Sequence, residues 1–216
     1  MRRERKQMTI FRSGDQPPGW CELTDFEFVD LTDQPLPIPL AAEKQRLLVT
    51  SGSCRVRSAK GAQVLSEGQF LDMNGANGPF TADAGEGAAQ VLVFYGRWGN
   101  ELGGCGVFKL GPDTPVPVKG DPVIYPKSTS FDSHYHDCDE YWVIIEGAGT
   151  VVVGSRSFEV EVGDCVAIGM GHHHDLSEVW SDVKGAYFET TLEGRKRFGH
   201  LWEHTHGPAD VRPERV

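Results

Sequence analysis

No histidine occurs before position 134, although the chain of 216 residues holds eight. Imidazole chemistry is therefore confined to the second half. Basic charge is also scarce: 21 Lys and Arg stand against 31 Asp and Glu, a net charge of −10 and a pI near 5.2. That balance argues against nucleic acid, whose phosphate backbone demands a basic face, and against an anionic membrane surface. A small acidic substrate stays open, because a bound cation supplies local positive charge. No run of about eighteen apolar residues exists, so no transmembrane helix is expected. The basic start MRRERKQ (1–7) has no apolar segment behind it and reads as a solvated terminus, not a signal peptide. Five cysteines (21, 54, 105, 138 and 165) are scattered, with no C-x-x-C pair. They are expected to be reduced thiols in a cytoplasmic protein.

What is abundant is glycine, 26 residues, with 13 prolines beside it. Such a chain favours short strands joined by turns. Phe158, Val160 and Val162 alternate with Glu159 and Glu161, the pattern of a half-buried strand. The runs YWVIIEG (141–147) and TVVVG (150–154) are apolar and end on glycine, and KGAYFETTL (184–192) reads as a closing strand. Strands without long alternating helices point to an all-β, antiparallel jelly-roll architecture.

The densest chemistry lies in HYHDCDEYWVIIEG (134–147) and GDCVAIGMGHHHD (163–175). His134 and His136 are two apart, so in an extended segment both imidazoles share one face, roughly 7 Å apart. A turn through Asp137, Cys138 and Asp139 can bring Glu140 to that face, and His174 arrives from a later strand. Three neutral imidazoles and one carboxylate suit a divalent first-row metal and leave coordination positions open. Cys138, between the ligands, is either a special thiol or a small turn filler.

These two runs resemble the motifs of the cupin superfamily, G-x5-H-x-H-x3–4-E-x6-G and G-x5-P-x-G-x2-H-x3-N. His134, His136, Glu140 and Gly147 match the first, with Ser128 at the leading glycine. Gly163, Gly171 and His174 match the second, with Gly169 for the proline and Glu178 for the asparagine. The resemblance implies a barrel holding one divalent transition metal (Fe, Mn, Ni or Zn) on His134, His136, Glu140 and His174. The departures fall on turn positions and spare the ligands.

The chain also repeats itself. Shifted by 95 positions, Gly147 falls on Gly52, Gly163 on Gly68, Val143 on Leu48 and Val151 on Val56. On that register His134 meets Pro39, His136 meets Ala41, Glu140 meets Gln45 and His174 meets Pro79, none of which can replace the ligands. The expectation is two jelly-roll (cupin) barrels in tandem: residues 1–103 without metal ligands, and residues 104–216 carrying the metal and a C-terminal tail. The boundary is drawn in the glycine-rich stretch 96–112. The tail EGRKRFGHLWEH (193–204) reads as a short helix that covers a barrel mouth or a partner subunit. The bare lobe would serve packing or a homodimer, since cupins are often dimeric and pairing closes sheet edges.

A metal that polarises a substrate carbonyl or hydroxyl needs a proton donor or acceptor beside it. Candidates are Glu189, His172, Tyr187, Tyr125 and Lys127. Glu189 matches Phe94 of the first half, so either it adds polarity to a pocket or it faces outward at an edge. Trp142 shares Glu140's side of the strand, as a pocket wall or as core. His204 and His206 lack a carboxylate partner and read as surface tail. The leading expectation is a metal-dependent enzyme acting on a small oxygenated substrate (a sugar, hydroxy- or keto-acid) as an isomerase, epimerase or lyase. A metal dioxygenase is the alternative. A non-catalytic small-molecule-binding protein follows, and a storage role suits an intact ligand set least.

Overall fold

The computed structural model describes residues 9–85, 87–112 and 119–216. The basic start 1–7 lies outside the described residues. In chain order, β1 is Ile10–Phe11. The first half follows with β2 (Leu23–Leu31), β3 (Leu36–Ile38), β4 (Lys44–Ser51), β5 (Ser53–Ser58), β6 (Gly61–Ser66), β7 (Phe70–Met73), β8 (Phe80–Ala84) and β9 (Ala89–Gly96). The second half has β10 (Cys105–Leu110), β11 (Glu140–Glu146), β12 (Ala148–Val153), β13 (Arg156–Glu161), β14 (Cys165–Ile168), β15 (His174–Val179) and β16 (Val183–Glu189). One helical turn, α1 (Glu203–His206), comes last.

The strands build two antiparallel jelly-roll barrels in tandem. In the first, the sheet β2-β9-β4-β7 closes against β3-β8-β5-β6. Leu47, Val49, Val91 and Val93 meet Val56, Phe80 and Ala82 between them. In the second, β1-β14-β11-β16-β10 closes against β13-β12-β15 around Trp142, Ile144, Val151, Val166 and Leu176. β1 therefore completes the second barrel although it precedes the first. Ile10 pairs with Val166 and Phe11 with Cys165.

The repeat has a backbone cause. Gly52 and Gly147 both have positive φ, +71° and +80°, and a Cβ at either would strike the chain entering the last strand of its barrel. Only glycine fits both demands. The sheets carry matching irregularities: the β4–β9 register shifts between Val49 and Ser51, and the β11–β16 register between Ile144 and Glu146.

The barrels pack back to back. Phe26, Leu48, Leu92, Phe94 and Trp98 from the first interlock with Tyr141, Val143, Cys165, Ala186 and Phe188 from the second. Phe188 stands edge-on to Trp98 at 4.8 Å. In the first barrel, Gln45 occupies the position of Glu140. Its amide nitrogen donates to Pro39 O (2.9 Å) and its oxygen accepts from Ala41 N–H (3.1 Å), so the side chain is spent on tying its own barrel mouth.

Two local expectations need correction. The tail is not helical over 193–204; only Glu203–His206 forms a turn. Lys196, Gly194 and Gly199 have positive φ, which breaks any helix before it. Val162 lies past the end of β13 and is exposed, so the alternation stops at Glu161.

Candidate metal centre

His134 and His174 are cross-strand neighbours. Their backbones exchange hydrogen bonds at 3.3 and 2.9 Å, and their rings lie 4.3 Å apart. His136 follows on the same face, and its carbonyl accepts from Gly171 N–H, which fixes the turn leading into His174. Glu140 begins β11. The ligating atoms of these four side chains all lie within 4.8 Å of one another, and none of the residues is more than 3% exposed.

The donor set fits a cation. His134 Nδ1 is 2.8 Å from Asp132 O, and His174 Nδ1 is 3.0 Å from His172 O. An N–H in each of those contacts leaves Nε2 as a bare lone pair turned inward, the arrangement that orients metal-bound histidines. His134 Nε2, His174 Nε2, both nitrogens of His136 and Glu140 Oε2 are buried with no hydrogen-bond partner. Glu140 Oε2 sits only 2.8 Å from His174 Nε2 and 3.3 Å from His136 Nε2. Lone pairs converge there, and a cation between them removes the mismatch. Burial, then the neighbouring imidazoles, holds His134 well below its usual pKa, so it is neutral.

Residues 123–181 match the cupin domain family. The second barrel carries a cupin domain, and the chain has the cupin fold. The uncharacterized protein y4oW of Sinorhizobium fredii is 97% identical over 216 residues, the whole of both chains. Oxalate decarboxylase of Lactobacillus farciminis, solved as a formate complex, superposes with TM-score 0.51 at 11% identity, covering 78% of this chain and 77% of that one. An oxalate decarboxylase of Bacillus subtilis gives 0.51 at 12%, covering 85% and 77%. A 7S globulin of Momordica charantia gives the same TM-score at 10%, covering 76% and 72%. Enzymes and a globulin share this cupin fold, so the likeness speaks for architecture alone.

Beside the quartet opens a cavity of about 400 Å³. Glu189 and Tyr187 both line it. The β11–β16 register sets Glu189 directly across from Glu140, which fixes the strand face that sequence alone left open. Glu189 Oε2 accepts from Gly104 N–H at 2.7 Å, and Oε1 lies 3.8 Å from His136 Nδ1. A Cβ on Gly103 would strike the Glu189 side chain, so glycine there makes room for the carboxylate. Trp142 is a cavity wall and core at once.

Three proton-transfer candidates lie elsewhere. Tyr125 OH donates to Asp175 Oδ2 (2.9 Å), and Lys127 is ion-paired to Asp175. Asp175 follows His174 on β15, so its side chain projects to the opposite face. His172 is nearly buried under the C-terminal tail, with Nε2 2.9 Å from Arg212 O. Its carbonyl orients His174, while its ring faces away from the cavity. Cys138 is buried, and burial followed by the charges of Glu189 and Glu140 pushes its thiol far up, so it stays protonated.

Sequence reasoning missed His200. Its ring stacks on His134 at 3.6 Å with planes 5° apart, and its Nδ1 lies 3.1 Å from Asp132 Oδ2. No spacing rule links position 200 to the motif. The only hint was that the tail might roof a barrel mouth, and Phe198, Gly199 and His200 do line the cavity.

Proposed function

We propose that this cupin is a metal-dependent enzyme. It acts on a small oxygenated substrate by chelation and proton transfer, in the manner of an isomerase, epimerase or lyase. The observation that carries the reading is Glu189: a buried carboxylate, opposite Glu140 in register, with one oxygen tied to Gly104 N–H and the other toward the site. His134, His136, Glu140 and His174 would hold the ion. When bound, a divalent iron, manganese, nickel or zinc polarises the substrate's oxygen atoms. Glu189 Oε1 is placed to take a proton from the substrate and return it, the work of a positioned general base. The Tyr187 hydroxyl is held above its usual pKa by burial and then by Glu189, so it stays protonated and donates. Phe108, Phe131 and Trp142 keep water from that face.

The same aromatic wall favours a second reading, a metal dioxygenase. One experiment separates the two. Protein purified without chelator is assayed for bound metal, then incubated anaerobically with candidate hydroxy- and keto-acids in deuterated water. Exchange or product without oxygen supports proton chemistry. Turnover that stops without oxygen and consumes it on readmission sinks the proposal in favour of the oxygenase.

A further inference from the structure

The walls of the cavity narrow the substrate, on the reading of the site just given. We propose that it is a 2-hydroxy- or 2-keto-acid whose body is a flat aromatic ring, the acid end lying at the ligand quartet and the ring against Phe108, Phe131 and Trp142. Those three form one ring cluster: Phe131 stands edge-on to Trp142 at 5.2 Å and to Phe108 at 5.8 Å, and Phe108 is tilted against Trp142 at 5.4 Å. Such a wall offers mainly ring edges and faces, the surroundings that an aromatic group prefers, with the Trp142 indole N–H as a donor. Phe198 stands at the rim, 70% exposed, an apolar surface that a ring entering the mouth would cover.

Among the described residues, the polar side chains lining the cavity are His134, Glu140, Tyr187, Glu189 and His200, with no lysine or arginine. A phosphorylated substrate would find no lysine or arginine there to pair with. A sugar would leave most of its hydroxyls unpaired against phenyl rings, which costs more than the burial returns. A chelating acid with an apolar body leaves neither fault. The volume of about 400 Å³ admits a single ring with its side chain.

The test compares mandelate and benzoylformate, which carry a phenyl ring, with lactate and pyruvate, which carry a methyl group. Binding is measured by calorimetry on metal-loaded protein, with metal content assayed in the same samples. The phenyl acids are expected to bind on the order of tenfold tighter, about 1.4 kcal/mol. Phe198→Ala should shrink that margin while leaving metal content and lactate binding in place, and Phe131→Ala should shrink it further. Phe198 is a surface residue, so that variant remains decisive if Phe131→Ala fails to fold. Equal affinity for phenyl and methyl acids, or no binding of either, with metal present overturns the proposal and leaves the metal reading standing. Protein that retains no metal on loading overturns both.

Discussion

Glu140 and Glu189 face each other across two paired strands; His174 and His136 lie 2.8 and 3.3 Å from Glu140, while His136 alone lies 3.8 Å from Glu189. On the proposed reading, Glu140 binds the ion and Glu189 transfers the proton. Glu189→Gln should therefore keep its metal, by elemental analysis, while turnover falls on the order of 10²–10⁴-fold. Unchanged turnover would end the role given to Glu189. His134→Ala with His136→Ala should strip the ion, and Gln45→Ala should leave it in place. The ligand quartet was legible in the sequence because its spacing is dictated by strand geometry and one tight turn. Glu189 was legible only as a candidate, since its face depends on a register that no local pattern prints. Tyr125 and Lys127 could not be placed from sequence: both meet Asp175, which follows His174 on β15 and faces the other way.

The loop from His134 to Glu140 works on two sides. His134, His136 and Glu140 turn to the metal site, while Tyr135, Asp137 and Asp139 grip the tail. Tyr135 pairs its backbone with Leu201 (3.0 Å each way) and donates its hydroxyl to Gly207 O (2.6 Å). Asp137 takes Arg197 through both carboxylate oxygens at 3.0 and 3.1 Å. Asp139 takes Arg215 at 3.0 Å and Met170 N–H at 2.8 Å. The tail thus braces the loop that carries the candidate ligands. Arg197→Ala and Arg215→Ala are each expected to weaken metal affinity roughly 10- to 100-fold, the usual cost of losing an outer partner, with circular dichroism unchanged. Lysine at 197 should recover only part, because it cannot fork across both oxygens. Asp121 caps the tail's one helical turn through Glu203 N–H and His204 N–H, and it also meets His173 and His204. Burial would raise its pKa, but these partners outweigh that and lower it to about 2. A depressed carboxylate stabilises the fold above its unfolded value, near 3.9, and loses that contribution as pH falls from about 4 toward 2. Proteolysis of the tail should rise across that window, and Asp121→Asn should flatten the rise. None of this bracing was readable beforehand, since tail and loop lie some sixty residues apart and are joined by charges without periodicity.

At the scale of the molecule, the tandem barrels were legible because the glycine turns recur at a fixed interval and each is demanded by backbone conformation. The crossing of β1 was not, because two residues carry too little pattern to name a partner. The shared core makes the barrels one unit: Phe188 of the second packs on Phe94 and Trp98 of the first. Unfolding is expected to be a single transition by calorimetry, with Phe188→Ala costing about 3–5 kcal/mol. Two resolved transitions would show that the barrels melt independently. The latch at Gln45 sets a limit on redesign. Grafting imidazoles alone into the first barrel would not create a second centre, because the Gln45 amide stays tied to Pro39 O and Ala41 N–H. An engineer would have to release that tie as well.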